Sequence, residues 1–113
     1  VVGRLKPRLR GCIPAAIEKI KTLLNKRYDF VFDPDDDDYY CSELIYVSYL
    51  KPNGKPIFKM KPMTFRDKQT GEISPLWVEH FKRYKCEIPE GVPGTNPGDM
   101  SRSKAIRIVH HYF

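Results

Sequence analysis

The residues best suited to nucleophilic, metal-binding or proton-transfer chemistry near neutral pH in this 113-residue chain are Cys12, Cys41 and Cys86, with His80, His110 and His111. No two cysteines form a CxxC pair, so neither zinc nor dithiol redox chemistry is indicated, and the odd count leaves at least one free thiol. Cys41 differs from the other two. It follows the acidic run Asp33-Pro34-Asp35-Asp36-Asp37-Asp38 and opens an apolar segment in which Cys41, Leu44, Ile45 and Ser48 share one helical face. At a helix start the free backbone amides and the macrodipole favour an anion, so a thiol there ionises more easily and becomes a nucleophile. The neighbouring aspartates oppose that ionisation within a Debye length of about 8–10 Å. Catalysis at Cys41 then requires a cationic or basic partner, ordinarily a histidine. The competing reading of a free cysteine is a small buried hydrophobe, and Cys12 and Cys86 take it.

The remaining chemistry-bearing residues give weaker patterns. His110 and His111 are adjacent in a β-rich segment and point to opposite faces, so they do not readily ligate one metal. The Asp33–Asp38 run lacks the central glycine and distal glutamate of a calcium-binding EF-hand loop and reads as a solvated loop. Arg4, Lys6, Arg8 and Arg10, with Lys19, Lys21, Lys26 and Arg27, offer phosphate contacts, and a non-enzymatic nucleic-acid binder is the alternative class of function. Against it, Tyr39, Tyr40, Tyr46 and Tyr49 cluster around the cysteine segment and leave the basic residues without a stacking platform. No metal or cofactor is called for.

The elements that must position these residues follow from periodicity and breakers. Val1 to Lys6 reads as a strand ended by Pro7, and Pro14 to Lys26 as a helix with Ile17, Ile20 and Leu24 on one face. Tyr39 to Leu50 is a second helix, stopped by Lys51-Pro52-Asn53-Gly54-Lys55-Pro56. Pro75 to Lys85 has loose helical spacing, residues 87 to 100 read as a long irregular connection, and Ala105 to Phe113 as a terminal strand. The composition, 41% hydrophobic and 30% charged, suits one α+β domain, and no apolar run approaches the roughly 18 residues of a membrane span. The net charge of +6 favours acidic partners without naming one.

Tyr40-Cys41-Ser42-Glu43-Leu44-Ile45, preceded by Arg27-Tyr28-Asp29 and Phe32 and followed by Asn96-Pro97 and Asp99, resembles the YiiX/YebB-like branch of the NlpC superfamily, the permuted papain-fold cysteine hydrolases. The similarity runs from Arg4-Leu5 through Gly94-Thr95-Asn96-Pro97 to the terminal strand. It implies an antiparallel sheet packed on helices and a cysteine hydrolase of the peptidase or amidase kind. Cys41 would be the nucleophile and form a thioester acyl-enzyme, Tyr28 would complete the oxyanion hole, and Tyr40 is a second candidate for that role. Either tyrosine alternatively serves only as an aromatic packing residue. Glu43 and Ser42 take structural roles, Glu43 being placed to cap the helix. The substrate implied is a peptide, a cell-wall-derived compound or a lipid amide or ester. The resemblance alone favours a bacterial cell envelope or periplasm.

In the permuted family the catalytic histidine and its orienting residue precede the cysteine, and no histidine precedes Cys41 here. The chain is therefore either an inactive relative or, as expected from the initial Val1 and the two sparse strands, the C-terminal part of a longer permuted papain-like domain whose first half supplies the histidine. An unpermuted papain order would instead recruit His110 and Asn96.

Overall fold

The computed structural model describes residues 1–113. Strand β1, Val2–Leu5, pairs antiparallel with β4, Ile106–His110, in a register that sets Gly3 opposite Ile108 and Leu5 opposite Ile106. A Cβ on Gly3 would lie 2.8 Å from Cγ2 of Ile106, so the close approach of the strands requires glycine there. Pro7 ends β1 by removing a donor and fixing φ, and Pro7–Cys12 winds as a 3-10 turn directly into helix α1, Ile13–Thr22. The helix expected to reach Lys26 stops at Thr22 because Leu23 leaves helical geometry and Asn25 adopts φ 69°.

Helix α2, Cys41–Ser48, begins at the cysteine and packs against α1. The predicted stop follows it: Leu50 bridges Pro56 across the Asn53-Gly54 turn, with Gly54 at φ 82°. A second two-stranded antiparallel sheet joins β2, Lys61–Pro62, to β3, Pro93–Gly94, and α3 spans Pro75–Arg83 between them. The connection expected to be irregular over 87–100 thus contains β3 and also the start of α4, Pro97–Ser101, which Asn96 caps by accepting the Asp99 amide at 2.8 Å. Those elements are two and five residues long, too short for periodicity to reveal.

Two apolar clusters hold the elements. Leu9, Ile57, Phe58 and Ala105 form one, flanked by Leu5, Ile45, Tyr49 and Ile106, so it joins the β1–β4 sheet to α2. The other is aromatic: Phe32, Phe65, Trp77 and Phe81 meet at ring separations of 5.0–6.3 Å, and Phe81 is fully buried. Phe32 also touches Tyr40 edge-on at 5.1 Å, which ties α3 to the residue before the cysteine.

Candidate active site

Cys41 is the first residue of α2 and its side chain is exposed. Tyr40, the residue ahead of it, is extended at φ −93° and ψ 165°, so the chain turns sharply into the helix at the thiol. The first-turn amides have no intrahelical acceptor, which leaves the Cys41 N–H free to serve an anion. Glu43 holds this start in place: its Oε2 accepts the Tyr40 N–H at 3.3 Å. From 55 residues away, the Thr95 N–H donates to the Tyr40 hydroxyl at 3.0 Å, and the Thr95 hydroxyl donates to Ser42 Oγ at 2.9 Å. The helix start is fastened from both sides.

Tyr28 reaches Cys41 through a strap rather than a regular element. The Tyr39 N–H donates to the Arg27 carbonyl at 3.1 Å and the Asp29 N–H to the Tyr39 carbonyl at 3.2 Å, forming a parallel bridge of Tyr28 with Tyr39. That bridge folds the acidic loop outward and brings Tyr28 alongside the thiol two residues on. Partial desolvation raises the phenol pKa above its ordinary value, and the neighbouring Cys41 sulfur adds to this electrostatically. The strap is anchored by buried Asp29, whose Oδ1 accepts the Val31 and Phe32 amides at 3.0 and 2.8 Å. Phe32 is thereby held at φ 56°, a conformation unfavourable for a bulky side chain, and its ring enters the aromatic cluster. Asp29 Oδ2 is buried without a hydrogen-bond partner.

The two buried carboxylates near the helix start repel ionisation. Burial is the largest influence on Glu43, and with the charges of Asp29, Asp36 and Asp33 it pushes that carboxyl up to about 7 against the pull of the Tyr40 amide. Asp29 is likewise raised, chiefly by burial. In the loop, Asp33 accepts the Asp35 amide and Asp36 the Asp38 amide, while Lys26 pairs with Asp37 and Arg27 with Asp38 at 3.5 Å. These local turns order a run that composition marks only as exposed. No three His, Cys, Asp or Glu side chains are arranged to hold a metal ion.

The structure therefore brings Tyr28 and Tyr40 to Cys41 in different ways: Tyr28 flanks the thiol, whereas the buried Tyr40 directs its hydroxyl to Thr95. No histidine is hydrogen-bonded to the cysteine. His80 Nε2 lies 2.6 Å from the Phe30 carbonyl and its ring packs among Trp77, Phe81 and Tyr84. His110 is exposed and meets Tyr112 at 4.7 Å, while Asn96 is engaged by Asp99, so the papain-order pair of His110 and Asn96 is not assembled. Asp29 and Thr95 are the site residues that sequence reasoning missed. Asp29 stood beside Tyr28 in the recognised motif, but nothing in the sequence signalled that Thr95 would meet the cysteine helix.

Residues 1–110 match the sequence profile of a family described as permuted papain-like amidase enzyme, YaeF/YiiX, C92 family. The chain belongs to this family. A C92 relationship accords with an α+β chain of helices and small antiparallel sheets in which a cysteine opens a helix. No curated protein and no solved structure matches the chain.

Proposed function

We propose that this protein is a cysteine hydrolase of the peptidase or amidase kind, with Cys41 as nucleophile and Tyr28 as oxyanion donor. The observation that carries the reading is the Tyr28 phenol set against a thiol at the first residue of a helix, in a chain of the permuted papain-like amidase family. The motif from Tyr28 to Ile45 further supports a place in the YiiX/YebB-like branch of the NlpC superfamily. The Cys41 thiolate adds to the carbonyl carbon of an amide or ester, and the electron pair of the carbonyl moves onto oxygen. The Cys41 N–H and the Tyr28 hydroxyl donate to that oxyanion. Collapse expels the amine or alcohol with a proton from a general acid and leaves a thioester on Cys41. Water adds to the thioester, and the second collapse restores the thiol and releases the acid.

The acid and base of this cycle is a histidine from outside these 113 residues, because His80 is engaged by the Phe30 carbonyl and no histidine of the chain is hydrogen-bonded to Cys41. In this reading the present residues are the C-terminal part of one permuted papain-like domain, and they contribute the nucleophile and the oxyanion site. Tyr40 and Glu43 position the helix start. A peptide, a cell-wall-derived compound or a lipid amide or ester fits the same chemistry.

Thiol-directed labelling near neutral pH tests the assignment in the protein as its gene encodes it. The fast phase of labelling should vanish in Cys41→Ala, leaving only slow reaction of the exposed Cys86, and should persist in Cys12→Ala and Cys86→Ala. Equal reactivity of the three thiols would remove Cys41 from the mechanism.

A further inference from the structure

The chain's excess positive charge is not spread over its surface. A groove of about 470 Å³ between the Pro7–Cys12 turn, the segment 51–61 and the segment 95–105 that carries α4 is bordered by Arg8, Lys51, Lys59, Lys61, Arg102 and Lys104. Asp99 is the single carboxylate on its lining, so the groove alone accounts for five of the chain's net six positive charges. That carboxylate is already engaged. Arg102 lies 2.7 Å from it and Lys61 3.9 Å, and the Arg102 hydrogen bond leads the causes that hold Asp99 below the usual carboxylate range. Arg8, Lys51, Lys59 and Lys104 have no carboxylate within 4.0 Å.

Six cations around one groove repel one another, and an anion seated among them relieves that repulsion. The floor is firm, because Leu9, Ile57, Phe58 and Ala105 lie under the rim as the buried apolar cluster. Cations rising from three separate segments around a rigid floor suit a compact group with several charged oxygens, and the volume matches a small-molecule site. A nucleic-acid strand would need exposed rings for stacking, and the only aromatic residue on the lining, Phe58, is buried in the floor.

We propose that this groove is a binding site for a phosphate-bearing ligand, with the phosphate oxygens held by the unpaired cations of its rim, Arg8, Lys51, Lys59 and Lys104. Neither Cys41 nor Tyr28 lines the groove, but Thr95 does and also fastens the cysteine helix through Tyr40 and Ser42, so the proposal is read from ligand binding rather than from turnover.

Calorimetric titration of the Cys41→Ser full chain with inorganic pyrophosphate at low ionic strength tests the proposal apart from turnover. Saturable binding to one site is expected, weakened at least about tenfold by the double substitution Lys59→Gln and Lys104→Gln. The exposed pair Lys82→Gln and Arg83→Gln, outside the groove, should leave the affinity unchanged. Cosedimentation with phosphatidylglycerol–phosphatidylcholine vesicles identifies the source of the phosphate: competition by pyrophosphate indicates a lipid headgroup, and vesicle indifference a soluble phosphate ester. Three results would overturn the site: no heat with pyrophosphate, equal weakening by both double substitutions, or much tighter binding of a single-stranded oligonucleotide than of pyrophosphate.

Discussion

Glu43→Gln should make the protein more stable at pH 8 than the native chain and abolish much of its stability change between pH 5 and pH 8. Glu43 is 2% exposed and its carboxyl is pushed from 4.5 up to about 7, with burial as the leading cause. A group whose folded pKa lies above its unfolded one favours the folded state at low pH, and that contribution is lost as pH rises through the folded value. At about 1.4 kcal/mol for each pH unit, the ionised Glu43 costs about 3 kcal/mol at pH 8, of which about 2–3 kcal/mol is lost between pH 5 and pH 8. Glutamine keeps an oxygen to accept the Tyr40 amide and carries no charge to be buried. Urea unfolding of both proteins at pH 5, 6, 7 and 8 measures the difference directly. The curves should lie closest at pH 5, separate chiefly between about pH 5 and pH 7, and change little relative to each other above pH 7. Asp29 and Asp36 also have raised pKa values, chiefly from burial, and because their charges act on Glu43 the substitution relieves them as well, which adds to the gain of the glutamine protein. Parallel curves across the range would show that water or loop rearrangement relieves the Glu43 charge, and the account of the buried carboxylates would fail.

Two further substitutions probe the site and the packing behind it. Tyr28→Phe in the catalytically complete protein should lower kcat by roughly 10- to 1000-fold through loss of one oxyanion donor while retaining the ring contact with Phe30 at 4.8 Å; unchanged turnover would leave Tyr28 a packing residue. Phe81→Ala should cost about 3–5 kcal/mol in denaturant unfolding, because the side chain is 1% exposed and meets Phe65, Trp77, Phe32 and His80, and a cost below about 1 kcal/mol would mean the cluster collapses to fill the space.

The amino-acid sequence by itself determined the cysteine at the head of a helix, because that placement depends on local signals: an acidic breaker, an apolar helical face and a Glu43 cap three residues past Tyr40. It also determined β1, the body of α1, the Asn53-Gly54 stop, the core of α3 and the β4 strand, whose periods or turn residues lie within a few positions of one another. Residues 93–101 escaped because their strand exists only by pairing with Lys61 and Pro62, and their helix is a single capped turn. Only the tertiary structure decided that Tyr28 flanks the thiol while Tyr40 turns to Thr95, since both rings have the same chemistry and the choice rests on a bridge across the acidic loop and a contact over 55 residues. The same holds for the basic groove, whose cations come from positions 8, 51–61 and 102–104. Their charges were countable in the sequence, but their convergence depends on the buried floor of Leu9, Ile57, Phe58 and Ala105, which draws the three segments together by removing apolar surface from water.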